Sequence, residues 1–211
     1  MQENFQIPEQ ELICINVDKV YDWVMKENTF DYFPTTPVAF PGVTATTSLA
    51  GAMVTCEVTP ATANPVVILR RENRQFTVDG NVVCLQQLTI QKNFTVVLVL
   101  TLPTGVILRS SPIAVSRSEQ VILCAPEGTD VTVTFTELDC LISSPGTFVP
   151  GAGVVTFTGL VVTVMTCQSI QSTYPVTVEF LADFCSPRAD LAIGSCPLPA
   201  RPAQCPAVYP D

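Results

Sequence analysis

Val131-Thr132-Val133-Thr134-Phe135-Thr136 alternates an apolar side chain with a threonine at every step. Successive side chains of a strand point to opposite faces. A period of two therefore puts Val131, Val133 and Phe135 on a buried face and the three threonines toward water. Val176, Val178 and Phe180 repeat the pattern, as do Val54, Cys56 and Val58.

Outward from these runs, turn signals break the chain at short intervals. Asp79-Gly80, between Phe76-Thr77-Val78 and Asn81-Val82-Val83, is a two-residue hairpin signal, because glycine supplies the positive φ that a type I′ turn needs. Pro103-Thr104-Gly105, Pro126-Glu127-Gly128, Pro145-Gly146 and Pro150-Gly151-Ala152-Gly153 mark further reversals. Eight to ten short strands with no helical pattern between them predict an all-β body over 48–184, an antiparallel β-sandwich or jelly roll.

Composition agrees. Hydrophobic residues make up 47% of the 211 residues and charged residues only 14%, so the polar surface must come largely from Thr, Ser, Asn and Gln. β-branched side chains fit the pleated surface, while 18 prolines keep strands short. The formal charge is −9. Residues 1–31 hold seven acids against Lys19 and Lys26, leaving twelve acids and eight bases for the rest. So acidic a chain repels phosphate backbones, which excludes nucleic acid as the expected partner. Arg70, Arg71, Arg74 and Lys92 form a local basic spot, read as a solvated strand edge that discourages sheet-to-sheet pairing. The apolar runs Val96–Leu100 and Gly159–Val164 are far too short to span a membrane, and Met1-Gln2-Glu3-Asn4-Phe5-Gln6 lacks the features of a signal peptide.

The two ends depart from the strand pattern. In an N-terminal arm and linker (1–47), Val17, Val20, Tyr21 and Val24 recur at i, i+3, i+4 and i+7 behind Asn16 as N-cap. This predicts a short amphipathic helix over 17–27 whose stripe, with Trp23, docks on the chain's own body or on a neighbour. From 185 the chain is an extended tail, since Pro197, Pro199, Pro202, Pro206 and Pro210 forbid helix and central strand alike.

Nine cysteines occur without a CxxC, and histidine is absent. A zinc site would need an all-cysteine shell without its usual close spacings, so no metal or other cofactor is expected. Cys56, Cys84, Cys124 and Cys167 sit in strand-like runs and read first as buried thiols acting as small hydrophobes. Cys14 in the arm and Cys185, Cys196 and Cys205 in the tail have no core to shelter them, so they are the cross-link candidates. Nine is odd, so at least one cysteine cannot pair within its own chain.

Catalytic signatures are scarce. Without histidine there is no Ser–His or Cys–His couple. No phosphate-cradling loop and no nucleophile elbow occur. Glu137 and Asp139 share a strand face by spacing, but a solvated face explains such a pair better than acid/base work. No enzyme is expected.

Cys14-Ile15-Asn16-Val17-Asp18-Lys19-Val20-Tyr21-Asp22-Trp23-Val24 resembles an N-terminal segment of spore-surface proteins of endospore-forming bacteria. Val121-Ile122-Leu123-Cys124-Ala125-Pro126-Glu127-Gly128-Thr129 resembles a second segment of that group. These proteins belong broadly with coat, exosporium and endospore-appendage proteins. In appendage subunits a jelly-roll body carries an N-terminal connector whose cysteines bond neighbouring subunits, and the resemblance makes Cys14 the connector thiol here. This chain departs in having one arm cysteine rather than a close set, and in carrying a cysteine-bearing tail. The resemblance implies a spore or cell surface location, made in a mother cell that later lyses, which reconciles disulfides with the missing signal. The expected function is a self-assembling structural subunit of a surface layer or fibre, with copies of itself and other surface proteins as partners. The alternative is a monomeric, carbohydrate-type ligand-binding β-sandwich, for which the 8% aromatic content is thin.

Overall fold

A computed structural model describes residues 11–78 and 80–182, and all regular structure among them is strand. In chain order these are β1 (Glu11–Tyr32), β2 (Val38–Ala39), β3 (Met53–Pro60), β4 (Val66–Val78), β5 (Asn81–Thr101), β6 (Ile107–Arg109), β7 (Ile113–Leu123), β8 (Asp130–Ser144), β9 (Thr147–Pro150), β10 (Val154–Thr158) and β11 (Val161–Ala182). The expected antiparallel β-sandwich is what forms. The chain divides into two compact units, Val20–Tyr174, and Met1–Lys19 with Pro175–Asp211.

In the larger unit β5 organises one sheet. Along one side it pairs antiparallel with β4 and then β3, and along the other with β7 and then β6. Its even-numbered residues from Gln86 to Leu100 are buried, as a period of two requires. Val78 pairs with Asn81, so the Asp79-Gly80 signal does close a two-residue hairpin, with Gly80 at φ +79°. A second sheet runs β1-β11-β8, and a third, small one runs β2-β10-β9.

The run Val131–Thr136 lies in β8 with Val131, Val133 and Phe135 turned inward. The phase then flips. Thr136 and Glu137 are both exposed, and Leu138, Cys140 and Ile142 take over the inner face. Opposite them the register slips between Cys167 and Gln168 of β11, which is how a bulge re-aims a strand without ending it. Gly146, at φ +58° in the β8–β9 turn, is sterically required, because a Cβ there would lie 2.2 Å from the carbonyl oxygen of Thr158.

Two apolar clusters fill the space between the large sheets. One gathers Phe94, Val96, Leu98 and Leu100 of β5 with Val162 and Val164 of β11, and extends to Phe40, Val155 and Phe157 at the small sheet. The other gathers Leu88, Ile90, Val121, Leu123 and Ile170. Cys56 of β3 and Cys140 of β8 pack against the first cluster and form a disulfide that ties the two large sheets across 84 residues of sequence.

The helix expected over 17–27 is not there: these residues lie in β1. From Asp22 to Tyr32 every even-numbered residue is half-buried or buried, and the odd ones are exposed. The inward set is Asp22, Val24, Lys26, Asn28, Phe30 and Tyr32, half of it polar, so apolar alternation is hidden from a hydropathy reading. The accidental spacing of Val17, Val20, Tyr21 and Val24 then imitates a helix stripe.

In the smaller unit, Thr177 of β11 donates to the Asn16 side chain of β1 at 2.7 Å, and the Cys14 thiol donates to the Glu179 carboxylate at 3.5 Å. Pairing of β11 with β8 ends at Thr173, so Pro175, which lacks an N–H, falls where no β8 donor bond is missed. The tail from 185 and its three cysteines lie outside the described residues.

Candidate functional site

Six cysteines are described, and they fall into three situations. Cys56 and Cys140 are paired. Cys14 and Cys84 are exposed free thiols; Cys124 and Cys167 are free and half-buried. The buried-thiol reading is overturned at Cys56, which is disulfide-bonded, and at Cys84, which is exposed, while Cys124 and Cys167 are free and half-buried. Cys84 has the inward parity of β5 but is exposed, ahead of Gln86 where burial of that face begins. Cys185, Cys196 and Cys205 lie outside the described residues.

The carboxylates near two of these thiols set their reactivity. Cys14 is pushed above the ordinary cysteine value, first by local desolvation and then by hydrogen bonding and charge from Glu179. Cys167 is raised as well, first by desolvation, then by Glu137 and Glu27. Both thiols resist ionisation, and the thiolate is the nucleophile in disulfide chemistry.

The outer face of the β1-β11-β8 sheet carries the most distinctive surface. Trp23 is 60% exposed and Met25 59%, two residues apart on β1 and so on one face. The Trp23 indole Nε1 donates to Ser169 Oγ of β11 at 2.6 Å, which draws the ring across the sheet. Further along the same face, Glu27 of β1, Glu137 and Asp139 of β8, and Met165 and Cys167 of β11 line a small depression of about 100 Å³. Among the described residues no His, Cys, Asp and Glu side chains are grouped so that they could hold a metal ion. Of the residues expected to dock the arm, Val20, Tyr21 and Trp23 are exposed, Val17 is exposed in the smaller unit, and Val24 packs against the second apolar cluster.

Between the two apolar clusters sits a charged network. Lys92 of β5, only 2% exposed, is ion-paired with Glu119 of β7. Glu119 also accepts from Gln168 of β11 at 2.7 Å and from Asn28 of β1 at 3.0 Å, and Lys26 of β1 lies 3.6 Å away. Burial lowers the Lys92 ammonium below its usual range. Glu119 opposes that shift and Lys26 adds to it. Lys26 further donates to the Gln120 carbonyl at 2.9 Å, and the Asp22 carboxylate accepts from the Cys124 amide at 2.8 Å. Side chains of β1 thus satisfy backbone groups at the edge of β7 where no strand pairing exists. A cleft of about 520 Å³ lined by Val24, Met25, Lys26 and Val121 opens along this seam.

The basic spot read from the sequence does not exist as a unit. Arg70 and Arg74 flank Glu72, Arg71 donates to the carbonyls of Pro126 and Thr129, and Lys92 is interior. A lysine on an otherwise apolar strand face reads as exposed unless its carboxylate partner, 27 residues away, is known.

Compared with protein-family models, with curated proteins and with solved structures, the chain matches none.

Proposed function

We propose that this chain is a structural subunit that self-assembles into a layer or fibre on a bacterial surface, spore-associated by its resemblance, and cross-linked through disulfides between copies. The observation that carries this reading is the state of the thiols. Among the described residues only Cys56 and Cys140 pair, which leaves four cysteines without a disulfide partner, two of them exposed. Three more lie in the tail. A lattice uses such thiols to make reversible contacts permanent. Weak contacts raise the local thiol concentration, and each bond then removes dissociation as an escape.

The sheet edges supply such contacts. In the β1-β11-β8 sheet both outer strands are long, 22 residues for β1 and 15 for β8, and among the described residues no further strand is paired beyond them. Unpaired strand edges recruit further strands. The internal Cys56–Cys140 bond serves a different end, holding the subunit together while assembly proceeds.

Non-reducing electrophoresis of assembled material, with negative-stain microscopy beside it, tests the proposal. A ladder of covalent multimers that collapses to one band with reductant is expected. An unchanged band pattern together with unchanged particle size overturns the covalent part.

A further inference from the structure

We propose that the outer face of the β1-β11-β8 sheet is a receptor for the proline-rich tail of a second copy, with Pro197 seated on Trp23 and Arg201 between Glu27, Glu137 and Asp139. This placement presupposes the self-assembly proposed above and names the two surfaces that meet in it.

The tail segment Cys196-Pro197-Leu198-Pro199-Ala200-Arg201-Pro202 spaces three prolines around one arginine. Such a sequence favours the polyproline II conformation, whose ordering costs little because prolines fix φ in advance. Segments of this kind are recognised by aromatic rings that take a proline face, and an acidic pocket beside the rings takes the basic residue. The sheet face has both parts. Trp23 is held across the strands by its bond to Ser169, leaving most of the residue open. The depression lined by Glu27, Glu137 and Asp139 gathers three carboxylates from two strands, and no arginine or lysine side chain lines it. An arginine entering there meets uncompensated negative charge and can make charge-assisted, two-pronged hydrogen bonds.

The spacings agree. Trp23 and Glu27 are four residues apart on one strand face, about 13 Å at roughly 3.3 Å per residue. Pro197 and Arg201 are four residues apart in the tail, about 12 Å at roughly 3.1 Å per residue. A tail laid along β1 therefore spans both anchors; on a helix of three residues per turn Arg201 lies about 120° around from Pro197, and its long, flexible side chain reaches back to the carboxylates while the proline rests on the indole. Met25, between the two anchors and 59% exposed, offers an apolar step for Leu198 or Pro199. Residues 183–196 separate Ala182 from Pro197, a stretch that extends to roughly 46–50 Å and so can reach another copy.

Cys167 gives an internal reporter. It sits in the same depression, where Glu137 and Glu27 help hold its thiol protonated. A docked tail covers this depression and deepens the desolvation that is the first cause of the raised thiol, so occupation should slow Cys167 alkylation.

The test is charge exchange between full-length chains, under reductant so that no disulfide contributes. Sedimentation of the wild type should show concentration-dependent association. Arg201→Glu and the double variant Glu137→Lys/Asp139→Lys should each weaken self-association by about tenfold or more, the loss of one good charged contact. Mixing the two variants should restore it, since an acidic tail then meets a basic depression on another molecule. Trp23→Ala should weaken association without disturbing the far-ultraviolet circular dichroism, its side chain being largely outside the core. Failure of the mixture to associate overturns the proposal. So does wild-type-like association of Arg201→Glu, although self-assembly by other contacts then stands. If the wild type stays monomeric at every concentration and under oxidation, both readings fall. A face that loses a soluble oligosaccharide on Trp23→Ala but is indifferent to Arg201→Glu belongs to a sugar ligand and likewise overturns the tail.

Discussion

The apolar cluster around Leu98 and the charged network around Glu119 lie in the same sandwich, yet they hold it in different ways. Phe94, Leu98, Leu100, Val162 and Val164 are essentially removed from water, and the Cys56–Cys140 bond is packed against them. Burial of this kind is non-directional and roughly proportional to area, so it fixes that two sheets meet but constrains their register weakly. Lys92, Glu119, Gln168 and Asn28 work the other way. Desolvating the charges costs more than their attraction returns unless the geometry is good, but a misaligned sheet would leave a buried charge alone. One region supplies stability and the other supplies a unique alignment of β1, β5, β7 and β11. Among the described residues the Gln168 side-chain carbonyl oxygen and the Ser172 hydroxyl are buried without a protein partner.

The largest effect expected is in the apolar region. Phe94→Ala removes a 1%-exposed ring whose centroid is 5.6 Å from Phe30 and 5.5 Å from Phe135. It should cost about 3–5 kcal/mol in denaturant unfolding, the usual range for an aromatic deleted from a core. A loss under 1 kcal/mol would mean that this cluster is not where the stability resides.

The charged network should respond non-additively. Glu119→Leu alone strands Lys92 in the interior and should cost about 3 kcal/mol or more, and Lys92→Met alone should cost somewhat less because Lys26 still faces the carboxylate. The double variant should recover most of both losses, since no uncompensated charge remains deep inside. A double-mutant cycle by urea titration measures this. Simple addition of the two losses would erase the distinction between the regions.

The covalent tie comes next. Replacing Cys56 and Cys140 together by alanine should lower stability by roughly 2–4 kcal/mol, mostly by freeing the unfolded chain of an 84-residue loop. The variant should still fold and still assemble, because this bond is internal to the subunit. Loss of covalent multimers in that variant would instead show that Cys56 or Cys140 exchanges between copies.

Sequence patterning exposes the apolar half of the molecule and conceals the polar half, for one physical reason. Where the inner face is apolar, as in Val131–Phe135 or Val54–Val58, alternation with period two is plain and the strands are legible. The Asp79-Gly80 hairpin is equally legible, because only a narrow set of residues suits its turn. Where the inner face carries charge, the pattern inverts its usual meaning. Lys26 and Asn28 look like solvent positions, so β1 passes for a helix; Lys92 looks like part of a basic edge. Each is explained only by Glu119, remote in sequence, and no local window contains that information. The Cys56–Cys140 pairing was likewise invisible, since both lie in strand-like runs and nothing in their spacing joins them. Cys84 sits in an apolar run and so reads as interior, although burial of that face of β5 begins only at Gln86.

The smallest effect concerns the Cys14 thiol, and it sharpens the contrast between internal and external sulfur. Cys14 is exposed, yet Glu179 accepts its proton's hydrogen bond and adds negative charge beside it. Local desolvation comes first and both Glu179 influences add to it in favouring the neutral thiol, so alkylation should rise later on the alkaline side than for an ordinary cysteine. Glu179→Gln removes the charge and keeps a side chain of the same size. The alkylation profile of Cys14, followed by mass spectrometry on reduced protein, should then move to lower pH and the neutral-pH rate should increase a few-fold, while Cys84, remote in sequence, stays unchanged. If cross-linking between copies runs through Cys14, covalent multimers should form faster in the same variant. Equal rates in wild type and Glu179→Gln would mean that the carboxylate does not govern this thiol, and the order in which the exposed cysteines oxidise must then be set by access alone.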